Sequence, residues 1–286
     1  EADMAMYVAK SKGRNTYQFY DISMKKEAEH KHELKTCLLH AIKNNELSLV
    51  YQPQVDANNK LIGAEALLRW HSKKLGFVPP DEFIFLAEQS GLIHSIGEWV
   101  LNTAMDTLVK WQPLLQDKPD FKMAVNFSSK QFQDENIAKN VEQCLLLRNI
   151  DPKHLQIEIT ESVLIGHKDI AVQSMLRLQK LGTSIAIDDF GTGYSSFSYL
   201  AILPIDKLKI DRAFVSNLHQ KSTNSKLVAA MVSMSKNLHM EVIAEGVESL
   251  QEKEALMALG CNQYQGYYFS KPIDVNQFQS VFLSEK

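Results

Sequence analysis

Cysteine is scarce in this chain. Cys37, Cys144 and Cys261 are odd in number and far apart, which fits neither a disulfide framework nor a clustered zinc site. A reducing, cytoplasmic setting is the expectation. Long apolar runs are lacking too: none approaches the ~20 residues that span a bilayer, and no signal-peptide pattern opens the chain. No membrane contact by this stretch is expected. It begins at Glu1 inside a helical pattern and without a methionine, so further domains, possible membrane anchors included, are expected upstream in a parent protein. Nor is there an excess of basic charge. With 31 Lys+Arg against 34 Asp+Glu the formal net charge is -3, which argues against the broad positive field of a protein that grips a nucleic acid polymer. A phosphorylated ligand would have to be met by local cations.

What is present is an ordinary globular composition, 45% hydrophobic over 286 residues, enough for one large α/β domain. Residues 1–12 read as a helix and 16–20 as a strand, too little to bury a core. Residues 23–43 form a charged connecting helix that docks through Leu34, Leu38, Leu39 and Ile42. His30 and His32 lie on it with H-x-H spacing, but among lysines and glutamates, which reads as a solvated face. From residue 44 onward the chain is a barrel candidate. Alternation at 46–56, the Asn58-Asn59 turn and a second apolar run at 61–70 predict an antiparallel hairpin. Helices follow from Pro79-Pro80 to Gly91 and over 96–112. Strand-like runs then recur at 122–127, 155–160, 184–189, 207–211, 241–244 and 263–267, with helical patterns at 135–147, 169–181, 194–200, 222–238 and 250–259 between them. Eight strands in a βα series over ~250 residues predict a (β/α)8 TIM-type barrel with an antiparallel first strand. An open doubly wound sheet is the alternative, but its dinucleotide-binding form would need a Gly-rich turn after the first strand, and none is present.

The stretch Ser184 to Ser196 organises the rest. Ile185, Ala186 and Ile187 mark a strand buried on both faces that ends at Asp188 and Asp189, before a loop with Gly191 and Gly193. Alone, the two carboxylates fit a solvated turn as well as a cation site. The other strand ends tip the balance: Glu65 within the second strand, Asn126 on the third, Glu158 and Glu161 on the fourth, Lys209 and Asp211 on the sixth, Glu245 and Glu248 on the seventh, Gln265 on the eighth. Carboxylates inside apolar strands are costly without partners, and the basic groups nearby, mainly Arg69 and Lys209, are too few to neutralise them. Divalent cations resolve the imbalance. All-oxygen ligands suit magnesium or manganese, while zinc would prefer the histidines and cysteines that these strand ends lack. Two dications about 4 Å apart repel by roughly 17 kcal/mol at an effective dielectric of about 20, so a cluster this acidic is what would hold a pair. Paired metals at that spacing cleave phosphodiesters.

These motifs resemble those of a known family. Glu65-Ala66-Leu67, framed by Tyr51-Gln52-Pro53 and Leu68-Arg69-Trp70, is similar to the name-giving motif of the EAL domain, the bacterial cyclic di-GMP phosphodiesterase. The resemblance runs from about Leu34 to Pro272 through 125–128, 158–162, 188–193, 209–212, 244–248 and 265–267. It implies hydrolysis of one phosphodiester bond of cyclic di-GMP to linear pGpG with Mg2+ or Mn2+, two ions per site. By the same resemblance Glu65, Asn126, Glu158 and Asp188 ligate one ion, Asp188 and Asp189 serve the second, Glu245 binds or deprotonates the water and Lys209 orients it. Glu161 would brace the loop from Asp189 to Ser196, and Gln52, Leu68, Arg69, Asp211, Glu248 and Gln265 would contact substrate. The alternative within the family is a catalytically silent receptor or interaction module; no departure at a ligand, lysine or brace position points to it. A homodimer is expected, paired near the 189–196 loop. Residues 1–22 resemble the end of a GGDEF domain without its catalytic turn, so an upstream GGDEF or sensor domain is expected and cyclase activity from this stretch is not.

Overall fold

The computed structural model describes residues 21–164, 168–191, 200, 203–220 and 222–284. The expected helix and strand over 1–20, the likeness to a GGDEF terminus there, and the expected helix at 194–200 up to Leu200 lie outside the described residues. The chain divides into two compact units, one of Glu1–Ser48 with Arg69–Leu92 and one of Leu49–Leu68 with Ile93–Lys286.

In the first unit, helix α1 (Ile22–Ala41) is capped by Asp21, whose carboxylate accepts from Ser23 N at 2.6 Å. It buries Leu34, Leu38 and Ala41, while Leu39 is 59% exposed. The buried stripe therefore follows the i, i+4, i+7 spacing, and Leu39 falls off it. His30 and His32 are exposed, and His30 Nε2 meets Glu82 Oε1 at 2.8 Å. Helix α2 (Pro80–Ser90) starts with proline at its first position and ends at Gly91, whose φ of 77° only glycine adopts freely.

The second unit holds most of the barrel. Strands β1 (Leu47–Asp56) and β2 (Leu61–Ser72) form the hairpin; the end of β2, Trp70 to Ser72, lies in the first unit and pairs there antiparallel with β3 (Gly76–Val78), a strand too short for periodicity to announce. The ring continues through β4 (Lys122–Phe127), β5 (Leu155–Thr160), β6 (Ser184–Phe190), β7 (Lys207–Ile210), β8 (Glu241–Ala244) and β9 (Gln263–Tyr264). Every pairing from β2 through β4 to β9 is parallel; β9 then meets β1 antiparallel and β1 returns to β2, closing eight strands. Helices α3 (Ile93–Trp111), α4 (Ile137–Leu147), α5 (Lys168–Leu181), α6 (Arg212–Val215), α7 (Ser222–Asn237), α8 (Leu250–Ala258) and α9 (Val275–Phe278) lie between and after the strands. The core outside the ring is aromatic at one point: Trp111 of α3 stacks on Phe278 with centroids 4.7 Å apart, and Tyr51 sets its ring edge against both and its hydroxyl on Thr107 at 2.8 Å.

Two expected strands end early, for reasons that bear on the site. Asp211 leaves β7 to become the cap of α6, accepting from Ala213 N at 2.8 Å. At Gln265 the chain leaves β9 to fold over the 245–248 turn, where Val247 N donates to Gln265 O at 3.1 Å and Tyr268 N to Val247 O at 3.0 Å. A Cβ on Gly266 would lie 2.1 Å from Val247 O, so this crossing admits glycine alone.

Candidate functional site

Alternation along a strand sends every second side chain into the barrel. On β5 this puts Leu155, Ile157 and Ile159 against the helices and turns Gln156 and Glu158 inward, all five buried. Lys209 of β7 reaches the same interior with no exposed surface. Its ammonium stands among four carboxylates: Glu158 Oε2 at 2.5 Å, Glu245 Oε1 at 2.7 Å, Asp188 Oδ1 at 3.1 Å and Glu65 Oε2 at 3.7 Å. Glu65 is further held by two amides, Asn126 Nδ2 donating to Oε1 at 2.7 Å and Gln265 Nε2 to Oε2 at 2.5 Å. Gln265 belongs to a chain of amides, receiving Gln54 Nε2 at 3.0 Å and donating to Gln52 Oε1 at 3.1 Å.

Successive residues of a regular strand face opposite ways, so Asp188 and Asp189 should not share a site. The pairing of β6 with β7 is irregular between Ile187 and Phe190, and Asp189 takes φ 53°, in the left-handed region. That local kink keeps both carboxylates with the cluster. Ligand oxygens of Glu65, Glu158 and Asp188 lie within 4.8 Å of one another, and so do those of Asp188, Asp189 and Glu245. Asp188 is common to both groups.

The charges do not balance. Among the described residues Glu65, Glu158, Asp188 and Glu245 share the ammonium of Lys209, a formal excess of three negative charges, and Asp189 stands beside them. The strain shows in the proton affinities. Burial, and after it the charges of Glu65 and Asp188, push Glu158 up to about 8 against the pull of Lys209. Burial raises Glu245 well above the usual carboxylate range, with Asp188, Glu65 and Glu158 adding to it and Lys209 opposing. Asp189 rises to about 6 through burial and the neighbouring Asp188 and Asp211. Glu65 goes the other way: burial would raise it, but Lys209 and the Gln265 and Asn126 amides outweigh that. Lys209, which burial alone would neutralise, is driven well above the lysine range by Asp188, Glu158, Glu245 and Glu65. It is a fixed cation. The all-oxygen donor set of two overlapping groups fits hard divalent cations of the magnesium and manganese kind.

A cavity of about 270 Å³ opens onto this cluster, lined by the expected Gln52, Glu65, Asp188, Lys209, Glu245, Glu248 and Gln265, together with Leu67, Arg212, Gly246, Gly266 and Tyr267. Arg212 and Tyr267 went unassigned in the sequence, although each directly follows or nearly follows a strand end. Arg212 Nη2 holds Glu248 Oε1 at 2.7 Å, and its aliphatic stem packs on Gly246, where a Cβ would come within 2.4 Å of Cγ. Of the remaining expected residues, Asn126 joins through Glu65, and Leu68 and Arg69 follow on β2, both half-buried. Asp211 caps α6 beside the cluster, close enough to act on Asp189. Glu161 follows β5 directly, with Oε2 buried and no hydrogen-bond partner among the described residues. Of the Asp189-to-Ser196 loop it was expected to brace, only Asp189 to Gly191 lie among the described residues.

The 245–249 turn that carries Glu245 and Glu248 is itself fastened. Ser249 caps α8 in a reciprocal box with Glu252. Glu252 accepts from Glu248 N at 2.8 Å, Ser249 N at 3.1 Å and Asn217 N at 2.9 Å.

Comparison with known proteins bears directly on this arrangement. The family model described as EAL domain matches residues 36–272. The chain is 41% identical over 277 residues to the bifunctional diguanylate cyclase/cyclic di-GMP phosphodiesterase MucR of Pseudomonas aeruginosa, covering 96% of this chain and 40% of MucR. It is 38% identical over 279 residues to the cyclic di-GMP phosphodiesterase PdeR of Escherichia coli, covering 97% of this chain and 42% of PdeR. It thus spans about two fifths of each of these relatives. Among solved structures, the PaMucR phosphodiesterase in complex with c-di-GMP superposes with a TM-score of 0.81 at 39% identity, over 86% of this chain and 99% of that one. Motifs, closed barrel and acidic cluster agree with the match: the chain belongs to the EAL domain family.

Proposed function

We propose that this chain hydrolyses one phosphodiester bond of cyclic di-GMP to linear pGpG, using two Mg2+ or Mn2+ ions. The observation that carries the reading is the charge imbalance: four carboxylates around one buried ammonium, at the mouth end of a barrel whose relatives MucR and PdeR bear the name of cyclic di-GMP phosphodiesterases. Glu65, Asn126, Glu158 and Asp188 would hold one ion, and Asp188 and Asp189 the second. Bound there, the ions supply an activated water and offset the charge that builds on the phosphoryl oxygens.

The protein's own groups do the rest. Lys209 stays charged beside Glu245 and would orient the attacking water by giving up one of its carboxylate contacts to it. Glu245 spends Oε1 on Lys209, which leaves Oε2 to take the water's proton. Glu161, Gln52, Leu68, Arg69, Asp211, Glu248 and Gln265 keep the roles expected above, brace first and substrate contacts after. Arg69 can fork onto a phosphate, while Gln265, Asp211 and Glu248 can read guanine edges or ribose hydroxyls. The domain division at 22 and 43, a homodimer, upstream GGDEF or sensor domains and a cytoplasmic site of action belong to the same reading. Among the described residues no helix is long and apolar enough to cross a membrane.

The test is turnover by the purified chain with cyclic di-GMP and Mg2+, following pGpG, with Ca2+ and chelator controls. Product that depends on Mg2+ or Mn2+ is expected. Tight binding without product would overturn hydrolysis in favour of a receptor. For pairing, activity across a dilution series should fall as dimers dissociate, and a constant specific activity in the monomer would remove the coupling.

A further inference from the structure

We propose that Gln156 is a positioning residue of the acidic centre, setting the orientation of Glu158 from one layer deeper in the barrel. The inference rests on the metal-dependent reading above.

Gln156 and Glu158 share the inward face of β5, and neither has any exposed surface. Gln156 Nε2 donates to Glu158 Oε1 at 2.9 Å, while Lys209 Nζ holds Oε2 at 2.5 Å. Two donors from different strands thus grip the two oxygens of one carboxylate. Turning that carboxylate about its last torsion breaks at least one of the bonds. In the charged form that ligates a cation a carboxylate only accepts, so the amide can present nothing but its NH2 group to it. The far end of the amide is instructive. Gln156 Oε1 is buried and has no partner among the described residues, so Glu158 is where the side chain's protein hydrogen bonding goes.

A role in packing alone does not account for this side chain. Its register neighbours on the two adjoining strands are the small residues Ala124 and Ser184, and an apolar side chain would fill the same space without leaving an oxygen unsatisfied. What an apolar side chain cannot do is keep Glu158 aimed upward. Glu158 stands within the fields of Glu65 and Asp188, which repel its charged form. Without a donor beneath it, the carboxylate is at liberty to turn away from them. Hydrogen bonds from behind fix a ligand's rotamer before the ion arrives, and their removal weakens metal binding by about 10- to 100-fold.

The experiment is Mn2+ binding to the purified chain without nucleotide, by calorimetry and by the electron paramagnetic resonance spectrum of the bound ion. Wild type is compared with Gln156→Met, which keeps the volume and removes the donor, and with Gln156→Asn, whose amide is one methylene too short to reach. Glu65→Ala is the control for loss of a ligand. Both Gln156 variants should bind Mn2+ about 10- to 100-fold more weakly, with an altered spectrum, while the chelated proteins keep the wild-type melting transition. Wild-type affinity and spectrum in either well-folded variant would overturn the proposal. Weak binding accompanied by a collapsed melting transition in both would make Gln156 a packing residue and overturn it too. A wild-type chain that takes up no Mn2+ would instead overturn the metal reading, and this inference with it, before any variant is compared.

Discussion

The two ends of the barrel use the same residue types in opposite ways. At the end where β7 and β8 begin, charges are matched: Lys207 meets Glu241 at 3.2 Å, Glu241 also accepts from Gln263 at 3.1 Å, and Asp206 is satisfied by Gln179 at 3.0 Å and Ile185 N at 2.7 Å. At the end where these strands finish, amides help hold Glu65 and Glu158, but among the described residues Lys209 is the cation that Glu65, Glu158, Asp188 and Glu245 share. Lys207 and Lys209 are two residues apart on one strand and both are buried. Matched charge serves folding. Unmatched charge, expensive to bury, is kept only where something else will neutralise it.

The comparison can be broken at its strongest point. Glu245→Gln keeps an oxygen for Lys209 and removes one unmatched charge. Turnover should fall by more than the ~100-fold that loss of a mere hydrogen-bond partner of a ligand costs, while the melting temperature in chelator should hold or rise. A lower melting temperature with turnover intact would reverse the assignment of the two ends. The converse substitution is Glu241→Gln. It leaves Lys207 buried without its counter-charge and should cost about 3 kcal/mol in denaturant melts, the low end of the range because Glu241 itself is half exposed to water. Turnover should stay near wild type.

Glu252 tests a place where the two kinds of residue meet, since a structural carboxylate there holds the turn that carries two functional ones. Burial would raise its proton affinity, but the backbone N–H groups of Glu248, Asn217 and Ser249 outweigh that and lower it. A carboxylate lowered in the folded state contributes stability that is full above its unfolded value of about 4.3 and is lost as pH falls through the folded value. Glu252→Gln should therefore cost about 2 kcal/mol at pH 7, and the difference from wild type should shrink as pH is taken down below about 4. A constant difference across that range would show that the charge is not what fastens the turn. The smallest effect is expected at Arg212, whose pair with Glu248 is exposed on both sides. Arg212→Ala should raise KM for cyclic di-GMP by a few-fold, about 1 kcal/mol, and leave kcat alone. A fall in kcat instead would draw Arg212 into the chemistry.

Much of the fold was legible because burial leaves a period in the letters. β4, β5 and β8 occupy the residues that apolar runs mark out, and α3, α4, α5, α7 and α8 lie within two or three residues of their helical patterns. The misses have local causes. β3 is three residues long, and β9 and β7 yield their last expected residues to a chain crossing at Gly266 and a helix cap at Asp211. In the site, glutamates and aspartates stood out because such residues are costly in apolar strands. Gln156 and Gln54 did not, since a neutral amide inside a strand carries no comparable signal. Arg212 was hidden for another reason: beside Asp211 it reads as an ordinary surface pair.

By itself the sequence determined the order of strands and helices, the strand or strand end that carries each acidic residue and the excess of acidic over basic groups at one end of the strands. Those properties follow from periodicity and composition, which are local. Tertiary structure alone decided that one ammonium would stand within 4 Å of four carboxylates, and that Gln265 would reach Glu65 across 200 residues of chain. It also decided that a bulge would hold Asp188 and Asp189 to a single cluster. Closure of the barrel brings the ends of separate strands together, and a distance between strands is written in no stretch of either one.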